Sequence, residues 1–521
     1  MFKNFLNKKR RREAQRNESA PKREPSYTAK KMSSSLEQNV QEIREEIGHS
    51  PDVIFREFRV GMTKNMATII YVDGLVHKDS LNEQVLKPLM QAQSLEKMID
   101  KVSISPILLK NWMVQSVISL TEIKHVTNLN DCILEILSGN AVLLIDGIEE
   151  VLILGISGWE QRSMEEPVTE SLVRGPRDGF VETLRNNTAL LRRRIKDPNF
   201  TIENFKVGRR AMKDLSVVYI KEIVNQELVN EVKRRIKKID IDDVPESGYI
   251  EQLIEDNYIS IFPQVQNTER PDRVASALME GRVAILLDGT PFALIVPVSL
   301  SMLMSSPEDY YERWIPSSLI RLMRYGAAFI ALFLPSIYIA VTSFNQGMIP
   351  TKLAISIAGT REGVPFPAIV EALIMEVTIE ILREAGVRLP KPVGQSVSIV
   401  GGLVIGQAAV EAGIVSPIMV IVVAMTAISS FAFPQYGAAI AIRALRFGMM
   451  LAAAVLGLYG VIMFYILINV HIVRLKSFGM DYSAPFSPYR RGGWKDMLIR
   501  VPFMMMKRRP KMNRTSDKTR Q

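Results

Sequence analysis

Cysteine is all but absent. Cys132 stands alone in 521 residues, which excludes an intrachain disulfide and any zinc site built from cysteine. A lone cysteine reads as a small buried hydrophobe. Histidine is nearly as scarce, and His49, His77, His125 and His471 are scattered without the spacing of metal ligands. With no nucleophile in a catalytic context, no metal cluster and no phosphate loop, neither an enzyme nor a cofactor is expected. The basic start of the chain runs into polar residues and not into an apolar segment. No secretory signal is therefore expected, and the soluble part is expected on the cytosolic side.

Long uncharged runs are missing before residue 325, and after it they dominate. Residues 325–351, 412–442 and 447–473 contain no Asp, Glu, Lys or Arg, and each exceeds the roughly 20 residues that cross a bilayer core. The mean hydropathy of +0.09 hides this division. The chain reads as a soluble N-terminal half followed by a helical membrane half. Its formal charge of +10 is concentrated at the ends, with Lys8, Lys9, Arg10, Arg11 and Arg12 near the start and a basic tail after Arg474. Cations flanking spans fit the positive-inside rule and anionic membrane lipid, and no nucleic-acid partner is expected.

The soluble half repeats itself. Phe58, Val60, Gly61 and Tyr71 recur as Phe205, Val207, Gly208 and Tyr219, and GNAVLLIDGIEEVLIL (139–154) matches GRVAILLDGTPFALIV (281–296). The order and separation of the two matches predict a duplication over 51–155 and 198–297. Asp146-Gly147, Asp288-Gly289 and Asp73-Gly74 lie between or beside aliphatic runs, as in hairpin turns. Apolar residues at helical spacing between the strands make each unit α+β. The uncharged stretch 289–307 is expected as a strand and apolar linker, since the matching stretch in the first unit is not membrane-like.

Between the units, Arg174, Arg177, Arg192, Arg193 and Arg194 surround a helix expected over 181–196, stopped before Pro198. Arg177, Arg192, Arg193 and Arg194 either contact a lipid headgroup or another subunit, or form a solvated, ion-paired face; the sequence favours the latter.

The membrane half holds polar residues that an anchor does not need. FPAIVEALIMEVTIEILREAG (366–386) carries Glu371, Glu376 and Glu380, with Glu376, Glu380 and Arg383 on one face. A carboxylate at the bilayer centre costs on the order of 2.5–3.5 kcal/mol, so these groups face water, a partner helix or a positive charge. Two readings stand: a pore or ion-pathway lining that includes Gln407 and Glu411, or an interfacial helix with its charges in solvent. Gly402 and Gly406 form a GxxxG spacing that reads as close helix packing. Clear spans are expected over 324–344, 414–433 and 448–473, the last two joined by a loop with Arg443 and Arg446. With both termini cytosolic the crossings are even in number, and about four are expected.

Three motifs, RGPRDGFVETLRNNTALLRRRIKDPNF (174–200), REGVPFPAIVEALIMEVTIEILREAG (361–386) and RLPKPVGQSVSIVGGLVIGQAAVEAGIVSP (388–417), resemble the A subunit of the GerA-type nutrient germinant receptors of endospore-forming bacteria. The resemblance covers roughly 50–490. It implies a multi-pass protein of the spore inner membrane that works with a transporter-like B subunit and a lipoprotein C subunit, and that forms a homo-oligomer around a ligand-gated cation channel in spore germination. A scaffold that assembles its partners without conducting ions is the other function class. The organisation expected is a basic, disordered tail over 1–50, a first α+β subdomain over 51–160, an Arg-rich connector over 161–197, a second α+β subdomain over 198–310, an all-α transmembrane domain over 311–480 and a basic cytosolic tail over 481–521.

Overall fold

The computed structural model describes residues 30–61, 65–91, 106–158, 166–167, 169–389, 402, 404–489 and 493–520. The chain divides into two compact units, one comprising residues 1–160 with 195–199, the other 161–194 with 200–521.

The first unit is a five-stranded antiparallel sheet. Its strands are β1 (Val53–Arg59), β2 (Met66–Val72), β3 (Ile123–Val126), β4 (Ala141–Ile145) and β5 (Val151–Leu154), in spatial order β1-β2-β4-β5-β3. Helices α1 (Leu36–Ile47) and α2 (Leu129–Leu137) accompany it. The second unit repeats the plan with α3 (Leu184–Arg194), β6 (Phe200–Val207), β7 (Lys213–Ile220), α4 (Gln226–Ile236), α5 (Ser247–Ile254), β8 (Gln266–Thr268), α6 (Pro271–Met279), β9 (Val283–Leu287) and β10 (Ala293–Val296), in spatial order β6-β7-β9-β10-β8. The central strands β4, β5, β9 and β10 are buried throughout, which is why they read as continuous aliphatic runs without alternation. Cys132 lies buried on α2, and burial pushes its thiol up to about 12.

The duplication extends further upstream than the sequence matches. Asn39 and Asn187 each hold a backbone segment six residues before them by two hydrogen bonds. Asn39 receives Ser33 N–H (2.8 Å) and donates to Ser33 C=O (2.6 Å), and Asn187 does the same with Val181 at 2.8 and 2.6 Å. The two helices are then held alike, because Asp146 accepts from Leu36 N–H (3.3 Å) and Asp288 from Leu184 N–H (3.0 Å). Helix α1 thus occupies part of the segment read as a disordered tail, and the Arg-rich connector helix is the first element of the second repeat. The Asp-Gly pairs do supply positive φ, 84° at Gly147 and 87° at Gly289. Their loops, between Ile145 and Val151 and between Leu287 and Ala293, are longer than two-residue turns, and the Asp carboxylates in them fasten these helices. Asp73-Gly74 departs from expectation: β2 pairs with β1 and β4, and the pair leads into a helix beginning at Lys78.

After the second repeat the longer helices are α7 (Trp314–Ser343), α8 (Thr351–Arg361), α9 (Ala368–Arg388), α10 (Pro417–Ser430) and α11 (Tyr436–Arg474), with a further helical stretch at 404–412. Among the described residues, α7 and α11 are long and apolar enough to cross a membrane by length and composition. Pro335 sits inside α7 as expected.

Helix α11 differs from the expected span 448–473, because Gly457 takes φ 58° and ψ −140° and splits it. The halves fold back on each other. A Cβ on Gly460 would lie 2.0 Å from the Ala452 carbonyl oxygen, and one on Gly448 would lie 2.6 Å from Phe464 Cζ. In a continuous helix residues 448 and 464 would be about 24 Å apart. Glycine is required at this turn both for its φ and because Phe344 and Asn345, just after α7, press against it.

The C-terminal tail also departs from expectation. Residues 493–520 fold against the second repeat, with Ser516 N–H donating to Ile223 C=O (3.0 Å) and Asn513 Nδ2 to Glu280 C=O (2.8 Å).

Candidate functional site

The three acids of α9 converge on arginines from the same chain. Helix α9 begins at Ala368, directly after Pro367 at the N-cap, and its first turn carries the acidic Glu371. Glu371, in its first turn, is fully buried. Arg361, at the end of α8, approaches Glu371 Oε1 to 3.0 Å, close enough for an ion pair though not aligned as a hydrogen bond. The other oxygen of Glu371 accepts Ser416 N–H at 2.9 Å, at the N-terminus of α10, where the helix dipole favours negative charge.

One and a half turns on, Glu376 meets Arg446 of α11 at 2.7 Å, and each side chain is 1% exposed. Glu380, a further turn along, is shared by Arg383 (2.7 Å), Arg446 (3.4 Å) and Arg443 (3.7 Å). Arg383 in turn donates to Ser430 Oγ at 3.2 Å and lies over the Phe431 ring. Three carboxylates and four guanidinium groups thereby tie α9 to α8, α10 and α11. Such pairing is the condition on which ionised groups persist among apolar helices, because desolvation of an unpaired one costs several kcal/mol.

Of the sequence-predicted residues, Glu371, Glu376 and Glu380 come together. Gln407 and Glu411 do not join them: they lie exposed one turn apart on the 404–412 stretch, with Gln407 Nε2 donating to Glu411 at 2.9 Å. Gly406 is buried, and a Cβ there would meet Val420 of α10 at 3.6 Å, whereas Gly402 is exposed with nothing within 4 Å. One glycine of the GxxxG pair therefore packs within the chain.

The connector arginines are engaged in different ways. Arg192 is buried with its guanidinium over Phe200 at 4.6 Å. Arg194 grips both oxygens of Asp178 at 2.6 Å, Arg177 is exposed 3.9 Å from Glu166, and Arg193 is half-buried.

Arg443 and Arg446, expected in a loop, lie inside α11 facing α9. Their role as counterions was missed, as was that of Arg361. Their spacing carried the signal: arginines three residues apart in an otherwise uncharged run match carboxylates four apart on α9.

The sequence matches the family described as Bacillus/Clostridium GerA spore germination protein over residues 41–512. This chain belongs to that family. It is 46% identical over 490 residues to spore germination protein B1 of Bacillus subtilis (strain 168), covering 94% of this chain and 99% of the relative. It is 45% identical over 479 residues to the uncharacterized membrane protein YfkQ of the same organism, covering 92% and 91%. The crystal structure of the N-terminal domain of the A subunit of the Bacillus megaterium spore germinant receptor GerK3 is 34% identical, with a TM-score of 0.41, and aligns with 52% of this chain and 98% of that one. The apolar helices α7 and α11 and the membrane-protein relative support membrane association for this family member.

Proposed function

We propose that this chain is the A subunit of a nutrient germinant receptor of the spore inner membrane, and that copies of it assemble around a cation path. The observation that carries the reading is its end-to-end likeness to a spore germination protein, across both repeats and the membrane half. The partners under this reading are a transporter-like B subunit and a lipoprotein C subunit.

We infer six passes where the sequence suggested four. Near the second repeat, Gln435 Nε2 donates to Asn267 C=O (3.0 Å), and His471 lies 3.0 Å from Ser260 Oγ. At the opposite end of α7, Asn345 Oδ1 accepts Leu458 N–H at 3.4 Å. On this axis α7 leads away from the repeat and the first half of α11 does the same, while the second half returns. Contacts from Glu371 to Ser416 and from Arg383 to Ser430 make α9 and α10 run parallel, both back toward the repeat. The chain must then cross once more between them.

In this scheme Glu371 and Glu376 fasten helices. The acids that reach an ion path are Glu380, whose side chain stays 30% exposed beside its three arginines, and the exposed Glu411. Helix α8, with no buried residue and with Thr351, Ser356 and Thr360, supplies a further polar surface for assembly. Rings of carboxylates attract cations. Neutralising Glu380 and Glu411 together should impair nutrient-triggered ion release while leaving the complex assembled; unchanged release would remove them from the path.

The second reading, a scaffold that conducts nothing, is favoured by the intrachain neutralisation of Glu371 and Glu376. Purified chain in planar bilayers separates the two: cation conductance supports the channel, and silence at every voltage supports the scaffold.

A further inference from the structure

A cavity of about 560 Å³ lies in the second unit, enclosed by the second repeat, the short helix Glu308–Tyr311 and the C-terminal tail. Seven of its lining side chains are Arg or Lys and two are carboxylates. Much of this charge is already engaged. Arg273 pairs with Glu170 at 2.8 Å and Arg509 with Asp517 at 2.8 Å, while Asp496 takes the Tyr310 hydroxyl (2.7 Å) and Arg321 (3.1 Å).

Arg282 differs in being buried without a carboxylate partner among the described residues. It is 7% exposed, donates to the neutral Gln266 Oε1 at 3.0 Å, and its Nε has no hydrogen bond. Among the described residues, no carboxylate lies within ion-pair distance of it. The neighbouring acid, Glu280, has its carboxyl pushed up by burial and so offers less negative charge than an ordinary glutamate. A buried guanidinium left this way is costly unless an anion completes it.

The first repeat lacks this arrangement. Carrying the Asp146–Asp288 match back, Asn140 occupies the position of Arg282, and its Nδ2 donates to Glu135 at 2.5 Å. In the second repeat the position of Glu135 is Ala277, so the carboxylate is gone and a cation has replaced the amide.

The cavity rim is apolar on one side. Met505 and Met506 line it, and Phe503, Met504 and Met505 are exposed beside it. This segment is tied to the start of α7, because the Arg500 guanidinium donates to Glu312 C=O at 2.6 Å and the Arg500 C=O accepts from Ser318 Oγ at 3.2 Å. There Trp314 and Ile315 are exposed, as residues at a membrane–water interface are.

We propose that this cavity binds a phosphate-bearing anion whose oxygens are held by Arg282, with Lys507 and Arg508 of the tail at its mouth. An anionic phospholipid headgroup and a soluble phosphate share this chemistry. No cavity residue belongs to α9, so the site stands or falls independently of the ion path.

The test is thermal unfolding of the full chain in detergent with four additives: inorganic phosphate, chloride at equal ionic strength, dioctanoyl phosphatidylglycerol and dioctanoyl phosphatidylcholine. Stabilisation by phosphatidylglycerol and not phosphatidylcholine supports a lipid occupant. Stabilisation by phosphate beyond chloride supports a soluble one. Arg282→Gln should weaken the response by about tenfold in apparent affinity, the scale of one charge-assisted contact. If that variant does not fold, Lys507→Gln with Arg508→Gln carries the same expectation from the rim. Equal response to all four additives, or an unchanged response in the variants, overturns the proposal.

Discussion

The two repeats share a sheet order, an Asn bracket and an Asp-fastened helix, yet they differ in how they treat buried charge. In the first, the buried polar residues among those described are the neutral Asn39, Ser50 and Thr68. In the second, Arg270 and Asp272 form a buried pair at 3.0 Å, Arg273 and Arg282 are buried beside them, and the C-terminal tail packs against the same region. The common features are those a five-stranded fold needs to position its helices. The differences mark where the second copy has acquired contacts of its own, and the cavity lies there.

That comparison can be broken most forcefully at the shared element. Asn187→Ala leaves the buried backbone groups of Val181 without partners and Asn39→Ala the half-buried ones of Ser33, at up to about 1–3 kcal/mol per group. Hydrogen exchange of the full chain should show α1 and α3 losing protection to a similar extent. A large effect in only one copy would mean that the bracket is not equivalent. Next in size, Arg282→Asn combined with Ala277→Glu rebuilds the first repeat's pair in the second and should abolish the anion response while raising thermal stability. A retained response would place the anion elsewhere.

A smaller contrast lies at Gly139 and Gly281, with φ of 99° and 78°. Alanine at either is expected to cost about 1 kcal/mol from backbone strain. Only at Gly281 would the new Cβ also strike Thr515, at 2.3 Å. Gly281→Ala should therefore expose the tail to limited proteolysis, and Gly139→Ala should not. The smallest effect concerns pH. Glu280 binds its proton more tightly when folded, so its contribution to stability is fully present below the ordinary glutamate range and is lost as pH rises through the raised value. Anion affinity at the cavity should fall over that rise, and titration of the phosphate response would detect it.

Much of this was legible in the sequence. The paired Asp146-Gly147 and Asp288-Gly289 motifs located both sheets, since buried aliphatic strands leave a continuous signal. The Asn brackets were not legible, because one asparagine six residues from its target has no periodicity. The acids of α9 stand out in the sequence as anomalies in an apolar helix, but their counterions do not, because the charges of Arg443 and Arg446 interrupt the apolar run and set them between two expected spans. The hairpin at Gly457 escaped for a related reason: within a uniformly apolar run a glycine that turns the chain looks like one that merely packs. The cavity depends on a tail folding back onto the second repeat, a long-range contact that local pattern does not encode.

The most direct test of the central reading is nutrient-triggered cation release from spores whose receptor carries Glu380→Gln and Glu411→Gln, with receptor abundance measured in parallel. The cation path predicts strongly reduced release at normal abundance. Release at the unmodified rate and extent would contradict it and leave the chain a scaffold.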